Sequence, residues 1–316
     1  MRSDKHRHNR DHVLHIVYHI FHQFSIGGIQ QRFQARAHLL LFKLGEIRLQ
    51  AAAALQQNDK RGNVFGYLAV LQQFGAHHVR HAMNGLCCGH IAHSAEHPAC
   101  RLPGKAHVGS LAYDAQNNNL WVCGSRSGIA QVNALAMESI EEYDFYESWK
   151  PISFLHVNNI LDIPRSSFMA YQAPYLYVGY YSTKEDSTIQ KYEVQDDGNI
   201  QSVPIEHRTS RIRQGVAEEE DLKISPYAQG MTFLGDILFL SYSMGIVPSR
   251  LAAYQVSDGI RDFTDEMALE DIRLPYMLAQ LCMDGGTMYL LFESGAYPYR
   301  YLPGLSVDRV LKIDLL

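Results

Sequence analysis

From about residue 107 onward, apolar and polar positions recur in one plan. The segments GSLAYDAQNNNLWVCGS (Gly109 to Ser125), SSFMAYQAPYLYVGYYS (Ser166 to Ser182), QGMTFLGDILFLSYS (Gln229 to Ser243) and AQLCMDGGTMYLLFES (Ala279 to Ser294) share it. Each has a short apolar strand, a tight polar turn, a second strand rich in aromatic and β-branched residues, and a small or polar end. Turns such as Leu234-Gly235-Asp236 and Asp284-Gly285-Gly286 supply the positive φ that tight hairpins need. A further strand follows at a distance in TIQKYEV (Thr188 to Val194), RLAAYQV (Arg250 to Val256) and RVLKIDL (Arg309 to Leu315), with GIAQVNA (Gly128 to Ala134) as the weaker counterpart.

The repeat runs from Tyr113 to Tyr171, Phe233 and Met283, every 50 to 62 residues. That is the period of a β-propeller blade with decorated loops. A β-sandwich or a stack of unrelated hairpins is the alternative, and a strand triplet recurring four times favours the propeller. The fold class expected is therefore mainly β: a partial β-propeller of about four blades over residues 105–316, preceded by a poorly structured or helical His-rich segment over residues 1–104.

That first segment follows different rules. VLHIVYHIFHQF, LLLFKLGEIRLQAAAALQQ and NVFGYLAVLQQFG have local helical preference. His12, His15, His19 and His22 fall on one helical face, but apolar residues surround that stripe on all sides. Cys88, His90, His93, His97 and Cys100 form a denser group and a candidate zinc site, because thiolate and imidazole are zinc's preferred donors. Their spacing departs from the paired ligands on two separated arms that structural zinc sites use.

Composition sharpens the division. Residues 1–108 carry 13 Lys and Arg against 5 Asp and Glu, while residues 109–316 carry 15 against 28, so the parts have net charges of +8 and −13. Fourteen of the 16 histidines lie in the first part and 17 of the 19 tyrosines in the second. A stretch rich in His, Gln, Phe and Leu and poor in acids has the composition of an ordinary coding sequence read on its complementary strand. Residues 1 to about 104 therefore read as a mis-read frame joined to a genuine propeller sequence.

No apolar run reaches the ~20 residues a membrane-spanning helix requires. The basic opening followed by Val13 to Phe24 lacks the uninterrupted apolar stretch and small-residue cleavage site of a signal peptide. Five cysteines, with Cys87 and Cys88 adjacent, do not form the framework of a small disulfide-rich domain. The acidic second part argues against nucleic acid as a partner.

The repeats resemble bacterial propellers of the NHL and YVTN type, in particular secreted ones. The residues that carry the resemblance are HVGSLAYD (His107 to Asp114), LWVCGS, SSFMAYQAPYLYVGYYS, TIQKYEV, QGMTFLGDILFLSYS, YLLFESGA and DRVLKIDL. The resemblance implies an extracellular or cell-surface location and a parent with more blades, against which four blades would form an open arc with exposed edge strands.

In such a fold the start of each first strand and the end of each second strand share a face. The aligned repeats place His107, Pro164, Tyr227 and Met277 in one ring and Gly109, Ser166, Gln229 and Ala279 two residues further in, with Ser125, Tyr181, Ser243 and Glu293 at the second-strand ends. His107, Gln229, Ser125, Tyr181, Ser243 and Glu293 are the candidate ligand-binding rim, for a small molecule, a glycan or a protein. Tyr180, Tyr181, Tyr242 and Phe292 are candidates for ligand contact, whereas Tyr175, Tyr177, Phe239 and Tyr289 are expected to pack blade against blade.

A metal-dependent hydrolase of the lactonase type needs several oxygen ligands converging on one cation, and calcium is the candidate there. The rim offers Glu293, Gln229 and His107 without a cluster of Asp, Glu and Asn. No G-x-S-x-G elbow is present, and His107 reads as a turn or packing residue. The acidic run Glu218 to Asp221 lacks the alternating spacing of a calcium loop and reads as a solvated loop. These observations favour a binding or interaction module over a hydrolase or lyase; a zinc-binding first segment is the further alternative. The mixed acidic and aromatic stretch Ala136 to Trp149 is an excursion between blades, helical at AMESIEEYDF.

Overall fold

The computed structural model describes residues 101–103, 108–144, 150–206, 211–218, 221–295, 299, 307 and 310–315. The His12 to His22 stripe, the Cys88 to Cys100 group and His107 lie outside the described residues. What is described is a four-bladed β-propeller of antiparallel hairpins.

Blade 1 begins with β1 (Leu111–Asp114), β2 (Asn119–Arg126) and β3 (Ile129–Ala136), passes through the helical turn α1 (Met137–Glu141), and returns as β4 (His156–Ile160). The helical stretch expected in the excursion is thus present, as five residues. In blade 2, β5 (Phe168–Gln172), β6 (Tyr175–Gly179) and β7 (Ser187–Glu193) are consecutive neighbours. Three short strands follow along the chain: β8 (Ser202–Pro204), β9 (Ile212–Gly215) and β10 (Leu222–Ile224). Blade 3 holds β11 (Ala228–Leu234), β12 (Ile237–Met244) and β13 (Val247–Gln255); after β14 (Asp262–Phe263) it is completed by β15 (Glu270–Tyr276). Blade 4 is β16 (Leu278–Asp284), β17 (Thr287–Phe292) and β18 (Leu311–Asp314).

The outer strands do not all belong to the blade that precedes them. β9 pairs in parallel with β4 and carries β8 outward, so chain from beyond blade 2's third strand completes blade 1. Likewise β14, which follows blade 3's third strand, pairs in parallel with β10 on the edge of blade 2. Each of these attachments satisfies backbone groups that a bare edge would leave open.

Alternation along the strands puts apolar side chains on both faces of the blades, as a sheet stacked between two others requires. Trp121, Cys123 and Val132 of blade 1 pack against Met169, Leu176, Val178 and Tyr192 of blade 2. Phe168, Tyr177 and Ile189 of blade 2 pack against Met231, Leu240 and Tyr254 of blade 3. Tyr177 meets Phe233 with ring centroids 4.7 Å apart, the blade-to-blade role expected of it. The other face of blade 1 buries Leu111, Leu120, Val122 and Leu135 under Met137 and Ile152.

The inner strands β1, β5, β11 and β16 lie side by side around the axis. Their approach is close enough to require glycine at two points. A Cβ at Gly109 would stand 2.3 Å from the Ser167 carbonyl oxygen, and one at Gly230 would stand 2.7 Å from that of Ala279. Ser110 Oγ accepts from the Met169 amide at 3.1 Å, tying blade 1 to blade 2, and accepts from Gln280 Nε2 at 2.8 Å, tying blade 4 to blade 1. One side-chain bond thus joins blades 1 and 4 at the axis. Among the described residues, no helix is long and apolar enough to cross a membrane.

Candidate functional site

The hairpin registers fix which residues are equivalent. Asp114 pairs with Asn119, Gln172 with Tyr175, Leu234 with Ile237 and Asp284 with Thr287. Counting back along the first strands as far as the registers run unbroken makes Ser110, Phe168, Gly230 and Gln280 equivalent, so blade 2 enters the rings one residue later than the sequence alignment places it. Ser166 is instead buried in the blade, bonding the Gly124 and Gln131 carbonyls. Counting forward along the second strands makes Ser125, Tyr181, Ser243 and Glu293 equivalent, as expected.

Blades 3 and 4 build the rim in the same way. Tyr227 and Met277, each just before an inner strand, hold φ of 70° and 61°, an uncommon conformation for non-glycine residues. Each is followed by a register shift, between Ala228 and Gly230 and between Leu278 and Gln280. In both blades the amide at the end of the second strand closes the loop: Ser243 N–H donates to Tyr227 O at 2.9 Å, and Glu293 N–H to Met277 O at 2.7 Å. Tyr227 N–H donates to Ser182 O at 2.7 Å, which fastens this corner of blade 3 to blade 2. Ser167 Oγ accepts from the Tyr181 amide at 3.0 Å and fixes the end of blade 2.

These backbone bonds bring together side chains from two blades. The Tyr181 and Tyr227 rings meet edge to face, with centroids 6.4 Å apart and planes at 63°. The charge of Glu293, followed by burial, holds the Tyr299 phenol above its ordinary pKa. Burial, then Tyr227, then Glu293 raise the Tyr181 phenol above its ordinary pKa. Tyr181, Tyr227, Gln229, Glu293 and Tyr299 are all partly exposed; Ser243 is buried and Ser125 is exposed at the tip of its blade.

Two of the aromatic candidates do not face a ligand. Tyr242 is buried, its hydroxyl 2.8 Å from that of Tyr254 and its ring under the Arg250 guanidinium. Phe292 is fully buried. Tyr180 leans on the core between blades 1 and 2. Tyr299 was not singled out from the sequence, because only the path of the chain after β17 returns it to Glu293. In the acidic run, Asp221 accepts from Gln190 Nε2 at 2.6 Å and the Glu218 amide donates to the Lys191 carbonyl, which docks the described part of that loop on β7. Among the described residues, no group of three or more His, Cys, Asp or Glu side chains is placed to hold a metal ion.

Comparison with known proteins finds no matching family model and no matching curated protein. Among solved structures, the chain is similar to the hydrazine synthase of Kuenenia stuttgartiensis, with 12% identity and a TM-score of 0.35 over 66% of this chain and 46% of that one. It is similar to the WD40 domain of coronin from Toxoplasma gondii, with 11% identity and a TM-score of 0.36 over 61% of this chain and 42% of that one. A third is the β-propeller domain of Cps50 (Swd1) from Myceliophteria thermophila, with 10% identity and a TM-score of 0.33 over 65% and 50%. The chain spans half or less of the length of each.

Proposed function

We propose that residues 105–316 form a non-enzymatic binding module whose ligand face is the mouth of the propeller axis, and that residues 1–104 form no part of it. The observation that supports this reading most is the meeting of the partly exposed Tyr181 and Tyr227 rings from two blades. Hydrogen bonds fix the backbone at both residues, which leaves less of the corner to be ordered when a ligand binds. Gln229, partly exposed, supplies a polar group on the same rim. The fold itself hosts many functions.

The resemblance of the repeats to secreted NHL- and YVTN-type bacterial propellers supports an extracellular or cell-surface location. Fractionation of the native host with an antibody to the propeller tests it, and recovery from the cytoplasm alone removes that part of the proposal.

The binding face is tested by screening the full chain against glycan and peptide arrays and repeating each positive with Tyr181→Leu, Gln229→Ala and, as a distant control, Lys312→Ala. Ligands lost with the first two and kept with the third locate the face. A ligand indifferent to both rim variants places the binding elsewhere. Hydrolysis of a lactone that disappears in Glu293→Gln would replace the binding reading with the hydrolase one.

A further inference from the structure

We infer that the outer edge of β15 is a second interaction surface, separate from the rim. It takes an extended segment of a partner protein as an added parallel strand, with an acidic residue opposite Arg273 and a large apolar residue opposite Leu274. The fold supplies two precedents. β4 is the fourth strand of blade 1, and chain that follows blade 2's third strand pairs with it in parallel as β9. β10 is the fourth strand of blade 2, and chain that follows blade 3's third strand pairs with it in parallel as β14. β15 is the fourth strand of blade 3 and, among the described residues, the outermost strand of its sheet.

The registers make the edges of blades 2 and 3 comparable. Ile189 and Leu251 lie opposite Gly179 and Ser241, which hold the same place on their second strands. Leu222 and Ile272 lie opposite Ile189 and Leu251 in turn, so Leu222-Lys223-Ile224 and Ile272-Arg273-Leu274 are equivalent. Both read apolar, basic, apolar. In blade 2 the Lys223 amide points outward and donates to Arg261 O at 2.7 Å, while Asp262 stands opposite Lys223 and Phe263 opposite Ile224. Arg273, itself exposed, turns its amide outward in the same way. An acidic residue followed by a large apolar one therefore repeats at β15 what Asp262 and Phe263 do at β10.

A second observation gives the apolar side chain something to cover. Leu135, Tyr192, Tyr254 and Ile313 are equivalent on the third strands, opposite Leu120, Leu176, Leu238 and Met288. Chain that follows the third strand covers the first three. Met137 and Ile152 lie over Leu135, a Cβ at Gly215 of β9 would stand 3.4 Å from Tyr192 Cε1, and Phe263 of β14 meets Tyr254 edge to face at 5.8 Å. Leu135, Tyr192 and Tyr254 are each at most 1% exposed, whereas Ile313 is only partly buried. By the geometry of Phe263 over Tyr254, the residue opposite Leu274 falls over Ile313. Glu270, Asp271 and Arg273 keep the edge charged, which blunts indiscriminate pairing and makes the match of charge part of the recognition.

The experiment uses the full chain and the peptide acetyl-Gly-Ile-Arg-Asp-Phe-Thr-amide, which has the sequence of residues 259–264, and follows binding by NMR and hydrogen exchange. The peptide is expected to bind and, near saturation, to slow exchange of the Arg273 amide at least about tenfold. Alanine in place of its phenylalanine is expected to weaken it about tenfold, and lysine in place of its aspartate about fivefold. Arg273→Glu should reverse the second preference, so that this variant binds the lysine peptide better than the aspartate one. Lys223→Glu should change neither, because β14 already occupies that edge. The reversal is a gain of binding, which a misfolded variant would not give.

Binding that is indifferent both to the exchange of aspartate for lysine and to Arg273→Glu overturns the inference, as does the absence of any shift in β15 resonances at millimolar peptide. Protection of the Arg273 amide in the chain alone also overturns it, since the edge is then already filled: by the chain itself, or by a second copy if the protection depends on concentration. Loss of binding with Lys223→Glu and not with Arg273→Glu places the peptide on β10 in exchange with β14 and has the same consequence.

Discussion

Gln280 Nε2 donates to Ser110 Oγ at 2.8 Å, joining residues 170 positions apart in the chain. Ser110 is 1% exposed and Gln280 5%, so the bond lies in the packed axis where an unmade partner is costly. The same hydroxyl accepts from the Met169 amide and donates to the Met169 carbonyl, so a single serine joins three blades.

Gln280→Ala is therefore expected to lower stability by about 1–3 kcal/mol, through the lost bond and the space left at the axis. Ser110→Ala should cost a similar amount, and the two costs should not add, because each variant removes the same bond. Urea denaturation of both single variants and the double variant measures this. Full additivity would show that the two side chains do not act on one another.

Gly230→Ala places a methyl group 2.7 Å from the Ala279 carbonyl oxygen and 3.0 Å from Ser241 Oγ. The serine hydroxyl can turn away, but the carbonyl belongs to the neighbouring inner strand, so blades 3 and 4 must separate. Overpacking of this kind costs about 1–3 kcal/mol. The expected readout is a lower denaturant midpoint with an unchanged slope; a wild-type midpoint would mean that the two strands lie farther apart than described.

His156 sits on β4 with its Nε2 buried and without a hydrogen-bond partner. Burial lowers its pKa below 6.5, against an opposing pull from Asp197. Between 6.5 and that lower folded value the unfolded chain binds more protons than the folded one, so stability is complete above the window and falls as pH drops through it. His156→Gln should lose less stability than the wild type on going from pH ~7.5 to pH ~5.5. Parallel pH profiles for the two proteins would exclude His156 as a source of the slope.

The hairpins were legible in the sequence because their determinants are local. In β11 and β12, apolar alternation and the Gly235-Asp236 turn fall within fifteen residues, and a one-residue slip would expose Leu238 and Leu240. The same holds for β16 and β17 around Gly285. The equivalence of Ser125, Tyr181, Ser243 and Glu293 follows from counting outward from those turns, which is why that part of the rim was recoverable. Counting inward failed by one residue in blade 2, because no turn anchors the start of β5; that start is set by Ser167 N–H donating to Gly179 O at 2.9 Å.

By itself, then, the sequence determined four hairpins, their turns, their buried faces and the acidic character of the propeller. Only the tertiary structure decided how the blades are completed and what the mouth of the axis contains. β8, β9, β10 and β14 run two to four residues each, too short to carry a periodic signal, and they form because the edges of β4 and β7 offer unpaired backbone groups. Ser110 and Gln280 are 170 residues apart in the chain. Their approach depends on the order in which four inner strands pack around an axis, and that order is fixed by the fit of whole blade faces.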